Sequence, residues 1–198
     1  CNACHKLTTH HENNRTNNIE GCAGCHNPRN TDRNGRAIAQ NPPTDGKQEE
    51  SIDLKRMIHG IHAADFRINP LQVVGFNGLE TLIFDHEAVA YPGRLNNCNA
   101  CLVNDSFELP LNSEVLGSTI DTGTNRQDPS DDLMITPTAA VCSAGGGGSV
   151  ARSHMEQNGG DFTATLQTIS SGASTETCAS CHGPGEFVDL KVVHDIDE

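Results

Sequence analysis

Three pentapeptides repeat one chemical pattern along the chain: Cys1-Asn2-Ala3-Cys4-His5, Cys22-Ala23-Gly24-Cys25-His26 and Cys178-Ala179-Ser180-Cys181-His182. In a Cys-x-x-Cys-His site the two thiols bond the vinyl groups of a haem. The adjacent histidine, held beneath the ring, supplies a nitrogen to the iron. With nine cysteines and ten histidines in 198 residues, chance placement yields about 0.02 such pentapeptides. Three are decisive. Zinc knuckles and disulfides also use paired cysteines, but the threefold recurrence of the whole pentapeptide favours c-type haem over both.

With His5, His26 and His182 as proximal ligands, seven histidines remain: His10, His11, His59, His62, His86, His154 and His194. Three haems need at most three distal ligands, so the chain carries a surplus. Only three methionines are present, and Met57 and Met155 sit beside apolar helix positions. Histidine is therefore the expected sixth ligand, which gives low-potential iron held by two imidazoles. Two further stretches are degenerate. Cys98-Asn99-Ala100-Cys101-Leu102 has the thiols but no histidine, and Cys142 stands alone.

The elements that must position these groups are faint. Hydrophobic residues make up 35% of the chain, with no Trp and one Tyr, so an ordinary apolar core is not expected. Low hydrophobicity and a net charge of −13 also fit disorder, a reading that the nine cysteines and ten histidines oppose. Covalent haem supplies the missing apolar volume. The predicted fold is a multihaem cytochrome fold, mostly coil with a few short α-helices, little or no β-sheet, and a core formed by packed c-type haems. One helix is predicted from Ser51 as N-cap through Ile52, Leu54, Met57, Ile58 and Ile61 to about Asp65, carrying His59 and His62 on one face. A second spans Val150 to Gln157, capped by Ser149, stopped by Gly159-Gly160 and carrying His154. Residues 40–48 and 104–137 read mainly as loops. Weak strands are expected at Leu71 to Val74 or Thr81 to Phe84.

The acidic balance disfavours nucleic acid as a partner, and no segment has the roughly 20 consecutive apolar residues of a membrane-spanning helix. Residues 1–198 are expected to form a single multihaem domain, part of a longer exported cytochrome. Haem attachment and cysteine usage point to an oxidising compartment.

With three signatures and this histidine inventory, the chain resembles a pentahaem domain of the OmcA/MtrC family of outer-membrane decahaem cytochromes, which carry electrons to extracellular metal oxides. The marks are Cys1 to Arg15 followed by Cys22-Ala23-Gly24-Cys25-His26-Asn27-Pro28, then Lys55-Arg56-Met57-Ile58-His59-Gly60-Ile61-His62, then Tyr91-Pro92-Gly93-Arg94-Leu95-Asn96-Asn97-Cys98. Later come Ala151-Arg152-Ser153-His154-Met155-Glu156-Gln157-Asn158-Gly159-Gly160, and the terminal Cys178 motif with Val192-Val193-His194.

The resemblance implies His59, His62, His154 and His194 as distal ligands, plus one of His10 and His11, with His11 favoured. His86 matches no ligand position and is expected on the surface. It also implies attachment at Cys98, Cys101 and Cys142. There the chain departs from the family: Leu102 stands where a proximal histidine belongs, and Gly145 to Gly148 follow Cys142-Ser143-Ala144. The surplus of distal histidines leads us to expect five haems where three attachment sites are intact.

The function so implied is electron transfer through closely packed haems toward metal oxides, chelated metal or flavins. Implied partners are other multihaem cytochromes or an outer-membrane porin-cytochrome complex, at the extracellular face of the outer membrane. Arg15, Arg67 and Arg94 are candidate partners for haem propionates. The rival is a nitrite or hydroxylamine enzyme, which needs an iron with an open position. A carrier is favoured because ligands are in surplus.

Overall fold

The structure, a computed structural model, describes residues 1–6, 9–11, 15–16, 19–173 and 175–196. Within them the helices are α1 (Asn2–His5), α2 (Ile19–Cys22), α3 (Arg33–Ala37), α4 (Leu54–His62), α5 (Pro137–Ala144), α6 (Ser149–Gln157), α7 (Leu166–Ser170), α8 (Ala179–His182) and α9 (Leu190–Val193). The strands are β1 (Thr9–His10), β2 (Arg15–Thr16), β3 (Leu71–Val74), β4 (Thr81–Phe84), β5 (Ser118–Asp121), β6 (Leu133–Ile135) and β7 (Ala164–Thr165). They form three antiparallel sheets, β1-β2, β3-β4 and β5-β6-β7. The expectation of little or no sheet is therefore corrected.

The β3-β4 hairpin falls on the two apolar runs of the sequence, with Leu71 opposite Phe84 and Val74 opposite Thr81. Its loop needs Gly78, whose φ of +66° suits glycine and whose close neighbour is the Ile38 backbone. Strands β5 and β6 of the β5-β6-β7 sheet lie where a loop was predicted. Its strands are built from Ser118, Thr119, Leu133, Met134 and Ile135, and Ser118 and Thr119 are fully buried. Hydroxyl residues read as turn formers. Here threonine acts through its β-branched shape, which fits a pleated surface.

A protein core exists as well, which corrects the expectation of an interior made by haem alone. Ile135, Ala139, Ala140, Met155 and Phe162 pack together where β6, α5 and α6 meet. Small alanines let the helices approach closely, so few apolar residues suffice.

Buried carboxylates join the remaining segments. Asp32 accepts from Arg36 Nε at 2.8 Å, from the Glu50 amide at 2.7 Å and from the Val74 amide at 3.0 Å. Glu49 accepts from the Thr122 amide at 2.8 Å, and Asp53 from Ser118 Oγ at 2.6 Å. Each ties a loop to a strand or helix distant in sequence, satisfying polar groups that burial would otherwise leave unpaired.

The helix around His59 and His62 starts later than predicted. Asp53 is its N-cap, accepting from the Lys55 amide, because Ser51 is held in a bridge with Thr31. By contrast α6 starts one residue earlier than predicted, at Ser149 itself, with Gly148 as N-cap.

Asp32→Ala removes a carboxylate that is 5% exposed, leaves the Glu50 and Val74 amides without their acceptor and leaves Arg36 to Asp45 alone. We expect urea unfolding of the haem-loaded protein to show a loss of about 3–5 kcal/mol. A loss below about 1 kcal/mol, as for an exposed pair, would show that this network does not hold the fold.

Candidate haem-binding sites

The three complete pentapeptides share one backbone turn. The histidine amide donates to the first cysteine's carbonyl, at 2.9 Å for His5 to Cys1, 2.8 Å for His26 to Cys22 and 2.9 Å for His182 to Cys178. The second cysteine's amide donates to the same carbonyl, at 3.1, 3.1 and 3.2 Å. This turn carries both thiols and the imidazole of each motif. The degenerate fourth site keeps it: Leu102 donates to Cys98 at 2.9 Å and Cys101 at 3.1 Å. The fifth site does not. The Gly146 amide donates to Ser143 and not to Cys142, and Gly146 and Gly147 have φ of +105° and +149°, a region that L side chains rarely adopt.

Each complete site faces a second histidine. The ring centroids of His5 and His62 are 6.0 Å apart, those of His11 and His26 6.1 Å, and those of His154 and His182 6.1 Å. An imidazole nitrogen sits about 2 Å from a first-row metal such as zinc. Two such bonds on opposite sides of one ion, plus the depth of each ring, set the centroids roughly 6 Å apart. The three pairs thus have the separation that one six-coordinate iron needs, with interplanar angles of 63°, 28° and 84°.

Hydrogen bonds also set the tautomers. Nδ1 of His26 donates to the Ile52 carbonyl at 2.9 Å, His62 to Ile58 at 2.9 Å and His182 to Val188 at 2.8 Å. A carbonyl only accepts, so the proton stays on Nδ1 and the Nε2 lone pair is free for metal. His26 is further anchored by the Leu54 amide, which donates to its carbonyl at 3.1 Å. The second site is thereby joined to the start of α4, whose other end presents His62. Apolar side chains stand exposed beside the motifs, among them Phe187 at 95% and Val150 at 84%. A porphyrin would cover such surface, so the residues fit haem c at these three sites.

Of the remaining candidates, His59 holds its own Nδ1 against the Lys55 carbonyl at 2.5 Å, on the helix that packs against α5, which carries Cys142. Cys142 lies within electrostatic reach of Cys178 and Glu176. His194 is the C-cap of α9. Asn96 donates to its carbonyl, and Arg94 pairs with Asp195 at 3.2 Å, which docks His194 beside the Cys98 motif. His86 is exposed near Glu87 and lies in none of the close ring pairs of the described residues. His10 falls in β1, and its side chain lies outside the described residues. Arg67 donates to the Ala144 carbonyl, while Arg15 has no described side chain.

Two supporting roles escaped the sequence reading. Glu176 accepts from Thr136 Oγ1 at 2.7 Å and from the Thr138 and Ala139 amides at 2.8 and 2.7 Å. It caps α5 from a distance and fixes the start of the Cys178 motif. Tyr91 packs edge-on against His62, with centroids 5.3 Å apart. Neither carries a spacing signal, since both act on groups remote in sequence. Among the described residues no three His, Cys, Asp or Glu side chains converge on one point as a metal site.

The family model for outer membrane cytochrome MtrC/MtrF-like, domains II/IV, matches residues 1–195, and the chain belongs to that family. Membership makes it an outer-membrane multihaem cytochrome that carries electrons on c-type haem at the extracellular face. No characterised protein matches it in sequence, and no helix among the described residues is long and apolar enough to cross a membrane.

We expect His62→Ala, His11→Ala and His154→Ala each to convert one low-spin haem to high spin in electron paramagnetic resonance, and His86→Ala to convert none. An unchanged low-spin spectrum in any of the first three would remove that residue from the ligand set.

Proposed function

We propose that this member of the MtrC/MtrF-like family conducts electrons through bis-histidine c-type haems toward extracellular acceptors: metal oxides, chelated metal or flavins. The single observation that carries the reading is the set of three opposed imidazole pairs, His5 with His62, His26 with His11 and His182 with His154, each about 6 Å between centroids. Bound haem supplies a one-electron iron couple. The chain does the rest. With haem bound, the two imidazoles of each pair would both hold the iron, which would leave no position for substrate and favour outer-sphere transfer. Carbonyl acceptors on Nδ1 raise the basicity of the ligands and stabilise the ferric state, keeping potentials low.

Linked elements support passage between sites. His26 is bonded to the segment that begins α4, and α4 carries both His59 and His62. Two of the four remaining histidines accompany the two incomplete motifs, His194 beside Cys98 and Cys101, and His59 on the helix packed against that of Cys142. A five-site ground plan is supported by this distribution, with three sites complete in all four protein groups. Partners of matching chemistry are other multihaem cytochromes or a porin-cytochrome complex, which deliver electrons at the outer membrane.

Stopped-flow mixing of the electron-loaded protein with soluble ferric chelate, flavin or nitrite tests the reading. We expect the chelate and flavin to reoxidise the whole Soret band and nitrite to leave it reduced. Sustained nitrite or hydroxylamine turnover, with a high-spin ferric signal in the resting protein, would overturn it.

A further inference from the structure

The fourth motif does not fit haem c. It has both thiols, the shared turn and a neighbouring histidine, but Leu102 offers no nitrogen to iron. Its Cys98–Ala100 segment is a 3-10 turn, and the Cys101 amide donates to the Cys98 carbonyl at 3.1 Å, as in the complete sites. Residues three apart on such a turn lie on one side of it. Cys98 and Cys101 are therefore neighbouring thiols with no iron ligand beside them in the motif. The protein works at the outer membrane, where vicinal thiols oxidise.

We propose that Cys98 and Cys101 form a redox-active disulfide, a two-electron centre set beside the haem site of Cys1, Cys4 and His5. Tyr91 joins the two. Its ring packs against His62, the imidazole facing His5, and its hydroxyl lies within electrostatic reach of both the Cys101 and the Cys4 thiols. The ring is held in place by the close approach of Gly93, where any added Cβ would come within 3.1 Å of it.

Reduction balances as follows. The sulfur–sulfur bond takes up two electrons, arriving singly through the Cys1–His5 site, and two protons from solvent, and leaves two thiols. Oxidation by the reverse route returns both electrons. Burial pushes the Cys98 thiol up, and the adjacent Cys101 adds to the shift.

This inference rests on the reading that the three complete sites hold haem. The test is intact-mass spectrometry with peptide-resolved iodoacetamide labelling of the full haem-loaded chain, first air-oxidised and then poised anaerobically at low potential. We expect three haems, no label on Cys98 or Cys101 in air, and label on both after poising. Cys98→Ser should leave Cys101 labelled in air as well.

A haem or zinc ion on Cys98 and Cys101, label on both in air, or no label after poising overturns the disulfide. Fewer than three haems would instead overturn the haem reading, and the same spectrum separates the two failures.

Discussion

Bis-histidine ligation, as proposed, would impose a demanding constraint on a chain with little apolar material. Two side chains from separate segments must meet at about 6 Å, each with its proton on the far nitrogen. The pairs here join α1 to α4, the segment before β2 to the turn after α2, and α6 to α8. None of those elements is long enough to be stable alone; α4 and α6 have nine residues each. Buried carboxylates fix them instead. Asp53 caps the helix that carries His62 and bonds Ser118 in the β5 strand, while Glu176 caps α5 two residues before the Cys178 motif. Removing water from these carboxylates is costly, so they are held by amides, hydroxyls and guanidinium groups on several sides. This makes the ligand geometry a property of polar crosslinks as much as of packing.

The backbone turn and the ligands are separable features of the motif. The Cys98 stretch folds as the complete sites do at its closing hydrogen bonds, yet ends in Leu102. The Cys142 stretch has lost the turn to glycines whose torsion angles a Cys-x-x-Cys-His helix does not use. A turn of this kind is a local event governed by amide and carbonyl positions, so it survives the exchange of one side chain. Haem retention needs the imidazole too. The two incomplete sites therefore differ in kind: one keeps a preformed pair of thiols, and the other keeps a single thiol on a helix end.

Covalent chemistry was the most legible part of the sequence. The Cys-x-x-Cys-His spacing named the attachment residues and the proximal ligands without any structure, and the apolar stripe of Leu54, Met57, Ile58 and Ile61 marked the helix that bears His59 and His62. The hairpin of Leu71 and Phe84 was visible as two short apolar runs. The sheet of Ser118, Thr119, Met134 and Ala164 was not, because its strands are short and polar and their burial depends on partners such as Asp53 that lie far away in sequence. Helix starts were misplaced for the same reason. Ser51 is a good cap by type, but tertiary pairing with Thr31 takes it out of use and Asp53 serves instead. The histidine pairs lay between these extremes, since a surplus of histidines was readable but which rings approach each other is a matter of three-dimensional structure.

Near-infrared magnetic circular dichroism of the oxidised, haem-loaded chain tests the central claim most directly, because its charge-transfer bands report the axial ligands of every ferric haem together. The account predicts bands of bis-histidine ligation alone, with intensity matching the number of haems found by mass. A histidine–methionine band, or a high-spin band of comparable weight, would contradict it.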